Sequence, residues 1–184
     1  MRKNHLIGYI GPMFSGKSTR MLLHIEKSRH AGREIHAFKP KIDDRYSVDD
    51  IVTHMGWKFQ ATQVSHGTDI SRHILEHGKD VNSCLIVVDE LFMIPQASEE
   101  LIFLYRRGVD IVFSSLEFSY KCEPFEEVTN ILPWATYIEK CAAACSVCGE
   151  DALFTYRKSE DDSRVLVGGK ELYEPRCMVH HPFI

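Results

Sequence analysis

Apolar and polar residues follow a pattern along the chain that predicts strands alternating with helices. The apolar run 5–10 predicts a strand that leads directly into a glycine-rich turn. From Ser18 the apolar positions take helical spacing, and Ala31-Gly32 predicts the end of that helix, since glycine tolerates a left-handed cap. Strands are also predicted at 34–38, 84–88 and 109–113, and helices at 68–77 and 97–107. This alternation indicates an α/β fold with a parallel sheet covered by helices on both faces.

The sequence pattern changes near residue 141. Short segments, paired cysteines and the turn Gly168-Gly169 replace the long apolar runs. We therefore expect a main α/β domain over 1–140 and a small C-terminal lobe over 141–184 that is organised by a metal.

Composition and charge narrow the class of protein. The chain has 184 residues, 44% of them hydrophobic, which is enough to bury a core. Its net charge of −4 argues against nucleic acid as a partner. No apolar run approaches the roughly 18 residues that span a bilayer, and the start leaves little room for a secretory signal. These features predict a soluble, cytoplasmic protein without a membrane partner.

A phosphate-binding motif follows the first predicted strand. The segment Gly11-Pro12-Met13-Phe14-Ser15-Gly16-Lys17-Ser18 matches G-x-x-x-x-G-K-S/T in full. Its glycines allow backbone N–H groups to point at phosphate oxygens, and the helix that follows adds its positive dipole end. Lys17 can reach the β- and γ-phosphates, and the Ser18 hydroxyl can bind Mg²⁺. The predicted sheet is therefore P-loop NTPase-like, with ATP and Mg²⁺ as cofactors.

Two acidic residues, Asp89 and Glu90, stand at the carboxyl end of the predicted strand 84–88. Ligands of parallel sheets bind beyond the carboxyl ends of strands, where the phosphate loop also lies. Asp89 is placed to hold Mg²⁺ through water, and Glu90 is free to act as a base on a hydroxyl or on water. The sequence pattern does not distinguish between these two acceptors.

A set of zinc ligands occupies the last third of the chain. Cys145 and Cys148 form a Cys-x-x-Cys pair, and Cys177 and His180 repeat the spacing. Three thiolates and one imidazole make a closed tetrahedral site, which predicts structural Zn²⁺. His181 is an alternative fourth ligand, and Cys141 lies close enough in sequence to remain a candidate.

In their order, these motifs resemble the cytosolic (type II) thymidine kinase family, which has a zinc lobe and a loop, called the lasso, that closes over the nucleoside. The resemblance covers nearly the whole chain. It is carried by 11–19, by Lys39-Pro40-Lys41-Ile42-Asp43-Asp44-Arg45-Tyr46, by Val52-Thr53-His54, by Asp89-Glu90, by Lys121, Pro124 and Phe125, and by Gly168-Gly169 with Tyr173 and Cys177.

The resemblance implies ATP-dependent phosphorylation of a deoxynucleoside 5′-hydroxyl, with thymidine as substrate. It assigns the general base to Glu90 and Mg²⁺ contacts to Ser18, Asp89 and Asp43. Lys17 and Arg45 would neutralise the transferring phosphoryl group, with help from Arg157, and Thr19 completes the loop motif. The family also implies a homotetramer and feedback inhibition by dTTP.

The resemblance also implies a pocket for the base. Its residues would be Met93, Leu116, Tyr120, Phe125, Thr155 and Tyr173, with backbone groups from Val167, Gly168 and Gly169. The chain departs from the family in two places near this pocket. Phe92 and Met93 replace an amide and a phenylalanine, and Glu117-Phe118 replaces an Asp-Gly pair. Methionine packs more adaptably than an aromatic ring, so a different or broader base selectivity stays open.

Three other functions remain as alternatives to a thymidine kinase. The first is a kinase of the same fold for other deoxynucleosides. The second is a weakly active nucleotide-binding regulator, against which the intact Lys17, Ser18, Asp89 and Glu90 argue. The third is a zinc-ribbon nucleic-acid ATPase, which the net charge of −4 disfavours.

Overall fold

A computed structural model of the chain describes residues 4–43, 47, 49–53, 56–78 and 83–184. The strands are β1 (Leu6–Ile10), β2 (Ile35–Pro40), β3 (Asp50–Val52), β4 (Lys58–Gln60), β5 (Thr62–Val64), β6 (Leu85–Val88), β7 (Asp110–Ser115), β8 (Tyr137–Lys140), β9 (Ala143–Ala144), β10 (Asp151–Ala152), β11 (Phe154–Arg157) and β12 (Tyr173–Arg176). The helices are α1 (Lys17–His30), α2 (Gly67–His77), α3 (Ala97–Tyr105) and α4 (Glu126–Ile131), and short 3₁₀ turns lie at Leu91–Met93, Leu132–Trp134 and Met178–His180.

The core of the molecule is a six-stranded sheet in the order β5-β2-β6-β7-β1-β8. Each neighbouring pair in it is parallel. The central strand β6 is buried along its whole length, as its continuous apolar sequence predicts. The parallel sheet confirms the predicted α/β fold.

Helices bury both faces of this sheet. Met21 and Ile25 of α1 pack with Val87 and Val112 on one face. On the other face, α2, α3 and α4 bury Ile70, Ile74, Leu101 and Val128 among the remaining strand side chains. Because every crossover returns to a parallel strand, the carboxyl ends of the strands share one edge, and the phosphate loop and the acidic pair meet there.

Several elements differ from the sequence prediction. β2 extends two residues past the predicted strand to Pro40, and α3 ends at Tyr105 rather than at residue 107. Helix α4, the exposed edge strand β8 and the short strands β3 to β5 were not predicted.

The C-terminal part of the chain builds two small antiparallel pairs, β9–β10 and β11–β12. Ala143, Cys145 and Ala152 form a separate small core with Cys177 against it. A loop of residues 158–172 connects β11 to β12 and is called the 158–172 loop below. Within the described part of the chain, no helix is both long and apolar enough to cross a membrane.

Candidate active site

The phosphate-loop motif forms the connection between β1 and α1. Gly16 caps α1 with φ 77°, and Gly11 has φ 144°. Residues with a side chain rarely adopt these backbone conformations. A Cβ atom on Gly11 would lie 2.1 Å from the carbonyl oxygen of Cys141, so only glycine fits there. The first turn of α1 contains no acidic residue, which leaves its positive end available to an anion.

The side chains of the loop fold back onto its own backbone. The ammonium group of Lys17 is buried and donates to the carbonyl oxygen of Pro12 at 2.7 Å. The hydroxyl of Ser15 donates to the same carbonyl at 2.8 Å. The hydrogen bond to this carbonyl keeps the ammonium group of Lys17 beside the loop, in the pocket that the loop lines.

Ser18 and Asp89 come together at the carboxyl end of β6. The Ser18 hydroxyl donates to Oδ1 of Asp89 at 3.2 Å, and the Ser114 hydroxyl donates to the same carboxylate. Asp89 is buried, and the hydrogen bonds from these two hydroxyls orient its carboxylate. A carboxylate and a hydroxyl at a phosphate loop are the oxygen donors that suit Mg²⁺.

A polar pocket opens beside the loop and contains most of the predicted phosphate residues. Its walls include Met13, Phe14, Gly16, Lys17, Ser18, Thr19, Asp43, Asp89 and Glu90. Gly11, Pro12 and Ser15 belong to the loop backbone behind this wall. Arg45 and His54 lie outside the described residues.

Lys39 is a pocket residue to which the sequence analysis gave no role. It is buried, and its ammonium group donates to the carbonyl oxygens of Ser47 at 2.5 Å and Asp50 at 3.1 Å. Lys39 thereby fixes the segment that carries β3 against the end of β2. In the sequence, its position next to Pro40 at the end of a predicted strand could have indicated that Lys39 lies at the edge of the sheet where ligands bind.

A second, more apolar pocket adjoins the first. Six predicted base-pocket residues line it, namely Met93, Leu116, Tyr120, Phe125, Gly168 and Tyr173. Val167 and Gly169 are chain neighbours of wall residues. Thr155 lies behind the wall, where its hydroxyl accepts from the backbone N–H of Met13 at 3.0 Å.

Other residues of this second pocket were not among the predicted base-pocket residues, although the departures Phe92 and Phe118 were expected near it. Phe92 packs against Phe125 with ring centroids 4.4 Å apart, and Arg164 places its guanidinium 5.3 Å from the Phe125 ring. Phe118, Ser119, Val165 and Leu166 complete the wall. Arg164 also donates to the carbonyl oxygen of Pro124 at 2.7 Å, which draws the 158–172 loop over the pocket.

Glu90 lies at the junction of the two pockets. It lines both of them, as does Met13. Its backbone is left-handed, with φ 49°, and its N–H donates to the Ser114 hydroxyl at 3.5 Å. This uncommon conformation turns the chain sharply after Asp89, so the two neighbouring carboxylates face different surroundings.

Arg157 holds the 158–172 loop in place. The resemblance implied a role for it at the phosphoryl group, but its guanidinium lies 4.0 Å from the Tyr120 ring and 5.4 Å from the Tyr173 ring. It donates to the carbonyl oxygens of Asp161 at 2.9 Å and Ser163 at 2.5 Å. The hydroxyl of Tyr173 donates to the carbonyl of Leu166 at 2.6 Å, so the loop is fastened at several points.

The predicted zinc ligands converge on one point. The donor atoms of Cys145, Cys148, Cys177 and His180 all lie within 4.8 Å of one another. The sulfur atoms of Cys148 and Cys177 are 3.8 Å apart, which is too long for a disulfide bond. Two thiolates bound to one tetrahedral zinc ion also have sulfur atoms separated by about 3.8 Å. Nδ1 of His180 is 3.1 Å from the sulfur of Cys177. The donor set fits Zn²⁺.

Local electrostatics favour a thiolate at this cluster. Burial acts to raise the pKa of Cys145, but backbone N–H groups of Cys177, Cys148 and Val147 outweigh it and lower the pKa to about 6. A thiol that is ionised at neutral pH is ready to bind a metal.

The two alternative zinc ligands point elsewhere. His181 is buried, with Nδ1 3.4 Å from the sulfur of Cys122 and Nε2 3.3 Å from the carbonyl oxygen of Thr155. Cys141 is also buried, and its thiol donates to the carbonyl oxygen of Glu139. His180 is therefore the imidazole that joins the three sulfur atoms.

Comparison with known proteins identifies the family. Residues 4–181 match the thymidine kinase family. The chain belongs to the thymidine kinase family. This is a family of nucleoside kinases, for which ATP and a nucleoside are the reactants.

Solved structures with similarity to this family member include an NTPase and an ATPase. One is the genome packaging NTPase B204 from Sulfolobus turreted icosahedral virus 2 in complex with ATP-gammaS, with 14% identity and a TM-score of 0.41 over 64% of this chain and 66% of that chain. The other is the Legionella pneumophila ATPase DotB, with 16% identity and a TM-score of 0.36 over 72% of this chain and 39% of that chain. The chain thus spans slightly under two thirds of the first protein and about two fifths of the second.

Proposed function

We propose that this chain transfers the γ-phosphoryl group of ATP to the 5′-hydroxyl of thymidine, forming dTMP and ADP. One observation carries the proposal: Glu90 lines both the polar phosphate pocket and the apolar pocket beside it. A carboxylate at such a junction is within reach of an alcohol whose sugar lies in one pocket and whose phosphoryl donor lies in the other.

The phosphate end of the site would be formed by residues 11–19. The glycine backbone and the amino end of α1 would bind the phosphate oxygens of ATP, and the ammonium group of Lys17 would offset their charge. The family resemblance adds Arg45 to this role.

Ser18, Asp89 and Asp43 would hold Mg²⁺. The fit rests on their oxygen donors and on the contact between the Ser18 hydroxyl and Asp89. When bound, Mg²⁺ reduces the charge of the phosphates. The hydroxyl of Ser114 would keep the Asp89 carboxylate oriented while Ser18 turns towards the ion.

Glu90 would act as the general base. Its carboxylate takes the proton from the 5′-hydroxyl as the oxygen of that hydroxyl bonds to the γ-phosphorus, and the bond from that phosphorus to ADP breaks. Phosphoryl transfer depends mainly on positioning and on charge stabilisation, so a base that is held at a fixed turn suits this reaction.

The nucleoside end would be enclosed by the apolar pocket. Tyr120, Phe125 and Tyr173 offer flat surfaces to a base, and Met93 and Leu116 fill the space between them. Backbone groups of Val167, Gly168 and Gly169 would bind the polar edge of the base. The 158–172 loop would exclude water from the reacting groups.

The zinc cluster would serve a structural purpose. Cys145, Cys148, Cys177 and His180 make a closed set of four donors, which leaves no position for a substrate. Cys145 and Cys148 precede β11, and Cys177 follows β12 directly. A bound zinc ion would therefore fix the strand pair that carries the 158–172 loop.

The walls of the apolar pocket also favour a second candidate, a kinase for another or a broader set of deoxynucleosides. Phe92 and Met93, both departures from the family pattern, line the pocket, as does Phe118. Flexible methionine and a shifted aromatic ring change the shape that is offered to the base.

Family membership further supports a role in deoxynucleotide salvage for DNA synthesis, with feedback inhibition by dTTP and assembly into a homotetramer. The exposed side chains of Phe103 and Trp134 provide apolar surface of the kind that subunit contacts bury. Light scattering with and without dTTP tests this assembly.

A nucleoside panel tests the proposed function. Purified protein is incubated with ATP, Mg²⁺ and each deoxynucleoside in turn, and ADP and the nucleoside monophosphate are both quantified. We expect the highest kcat/KM for thymidine and dTMP as product. A different preferred base would replace the thymidine assignment by the second candidate, and the absence of any monophosphate would contradict both.

A further inference from the structure

Three histidines gather at the opposite end of the sheet from the phosphate loop. His36 is the second residue of β2, whereas Lys39, near the carboxyl end of that strand, lines the phosphate pocket. His73 and His77 are one turn apart in the last part of α2. We call His36, His73 and His77 the histidine cluster. None of them is used by the proposed phosphoryl transfer.

Two ring nitrogens of the cluster face each other. Nδ1 of His36 lies 3.3 Å from Nε2 of His73, and the two rings cross at 74°. Two imidazoles on tetrahedral zinc, each bound at about 2.0–2.1 Å, have nitrogens separated by about 3.4 Å. The same distance suits a hydrogen bond between neutral rings, so the spacing alone does not decide between a proton and a metal.

The other nitrogen of His36 supplies an independent observation. Nε2 is buried and makes no hydrogen bond, yet Oε1 of Glu34 lies 3.3 Å from it. Histidines that bind metals commonly direct their second ring nitrogen at a carboxylate, which fixes the ring orientation. Glu34 occupies that place, so His36 has a carboxylate behind it and a second imidazole in front of it.

A further histidine, His77, lies one helical turn from His73. The centroid of the His73 ring lies 4.7 Å from that of the exposed His77, whose side chain would have to turn to bring a third nitrogen to a shared cation. His77 lies in the last turn of α2, where the helix dipole favours positive charge.

We propose that the histidine cluster is a second metal site, which takes a divalent transition cation such as Zn²⁺ or Ni²⁺. His36 and His73 are its fixed ligands, His77 is a third ligand from the surface, and Glu34 orients His36. Imidazole donors favour these cations over Mg²⁺ and Ca²⁺. Because the ligands come from β2 and α2, a bound cation joins this helix to the sheet.

Calorimetric titration with Ni²⁺ tests the site in the full chain with its zinc retained. We expect one Ni²⁺ per chain in the wild type and at least tenfold weaker binding in His73→Gln and in His77→Gln. His30→Gln is the matched control, since His30 is an exposed histidine beside the carboxylate of Glu26, and it should bind as the wild type does. Glu34→Gln should weaken binding by about tenfold, as loss of an orienting carboxylate does elsewhere.

Absorption spectra recorded during the titration show which ligands the added Ni²⁺ finds. Binding by imidazoles gives no thiolate-to-metal charge-transfer band and releases no zinc. Appearance of that band with release of zinc would overturn the proposal, because the added ion would then occupy the cysteine cluster. Equal affinity in the wild type and His73→Gln would overturn it too. Nucleoside phosphorylation is measured in parallel and should stay unchanged in His73→Gln, so failure here is distinct from failure of the proposed kinase activity.

Discussion

The backbone N–H of Met13 donates a hydrogen bond to the hydroxyl of Thr155 across 3.0 Å, and both groups are buried. Met13 belongs to the phosphate loop and Thr155 to β11, 142 positions later in the chain. This hydrogen bond connects the loop to the strand pair that carries the cover of the apolar pocket. One side-chain hydroxyl thus connects the two halves of the site directly.

Replacing Thr155 by valine tests this connection. Thr155→Val leaves the Met13 N–H buried without an acceptor, which should lower the free energy of unfolding by about 1–3 kcal/mol. We also expect KM to rise for both ATP and nucleoside, since the contact touches both pockets. Thr155→Ser keeps the hydroxyl and should stay close to the wild type. Urea denaturation and steady-state kinetics provide the measurements, and a stable, fully active valine variant would refute the connection.

Replacing Glu90 by glutamine tests the general base. Glu90→Gln preserves size but removes the proton acceptor, so kcat should fall by about 10²–10⁴-fold with little change in KM. Glu99→Gln is the control, because Glu99 is an exposed acid at the start of α3. If Glu90→Gln turned over at the wild-type rate, the proton would have to leave by another route.

Loss of Arg157 should open the 158–172 loop. In Arg157→Met the hydrogen bonds to the carbonyls of Asp161 and Ser163 disappear, together with the contacts to two tyrosine rings. Hydrogen bonds from a charged donor are worth about 1.5–3 kcal/mol, so KM for the nucleoside should rise by about tenfold or more. Hydrogen exchange of residues 161–169 should quicken in the same variant. The exposed Arg107, replaced by Met, serves as control.

Removal of one zinc ligand should release the metal. Cys177→Ser leaves three donors, and we expect zinc to be lost to a chromogenic chelator that the wild type resists at pH 7. Cys122→Ser is the control, because that sulfur contacts His181 and lies outside the cluster.

Acid should release zinc from the wild type as well. The pKa of Cys145 is depressed from 9.0 to about 6, so the stability that its thiolate contributes is present above pH 9 and disappears as pH falls through about 6. Bound metal competes with protons for this thiolate, so the midpoint of zinc release should lie at or below pH 6. Release that begins well above this pH would contradict the assignment of Cys145 as a ligand.

The parallel sheet could be predicted because its central strands have a distinctive, continuously apolar sequence. A strand buried on both faces, such as Leu85–Val88, is continuously apolar, and the helices between such strands show regular spacing. Strand β8 could not be found in this way, since most of its side chains are exposed at the sheet edge. Helix α4 has six residues, too few to display a helical period.

Some residues of the candidate site could likewise be predicted from local sequence, and others could not. Lys17, Ser18 and Asp89 stand in short motifs or at strand ends, where topology alone brings them together. Phe92 and Arg164 reach the apolar pocket through the packing of separate segments onto Phe125, and no local pattern encodes that contact. His180 and His181 lie three and four residues after Cys177, and the backbone turn at Met178–His180 directs only His180 towards the sulfur atoms.

The four metal donors flank β11 and β12, whereas the six parallel strands need no ion to pair. Zinc starvation of a cell would then act on enclosure of the nucleoside before it acts on the fold. Under the proposed function, such a cell would accumulate folded protein whose phosphate loop is intact but whose nucleoside pocket is poorly enclosed. Resupply of the metal would restore turnover without new protein synthesis.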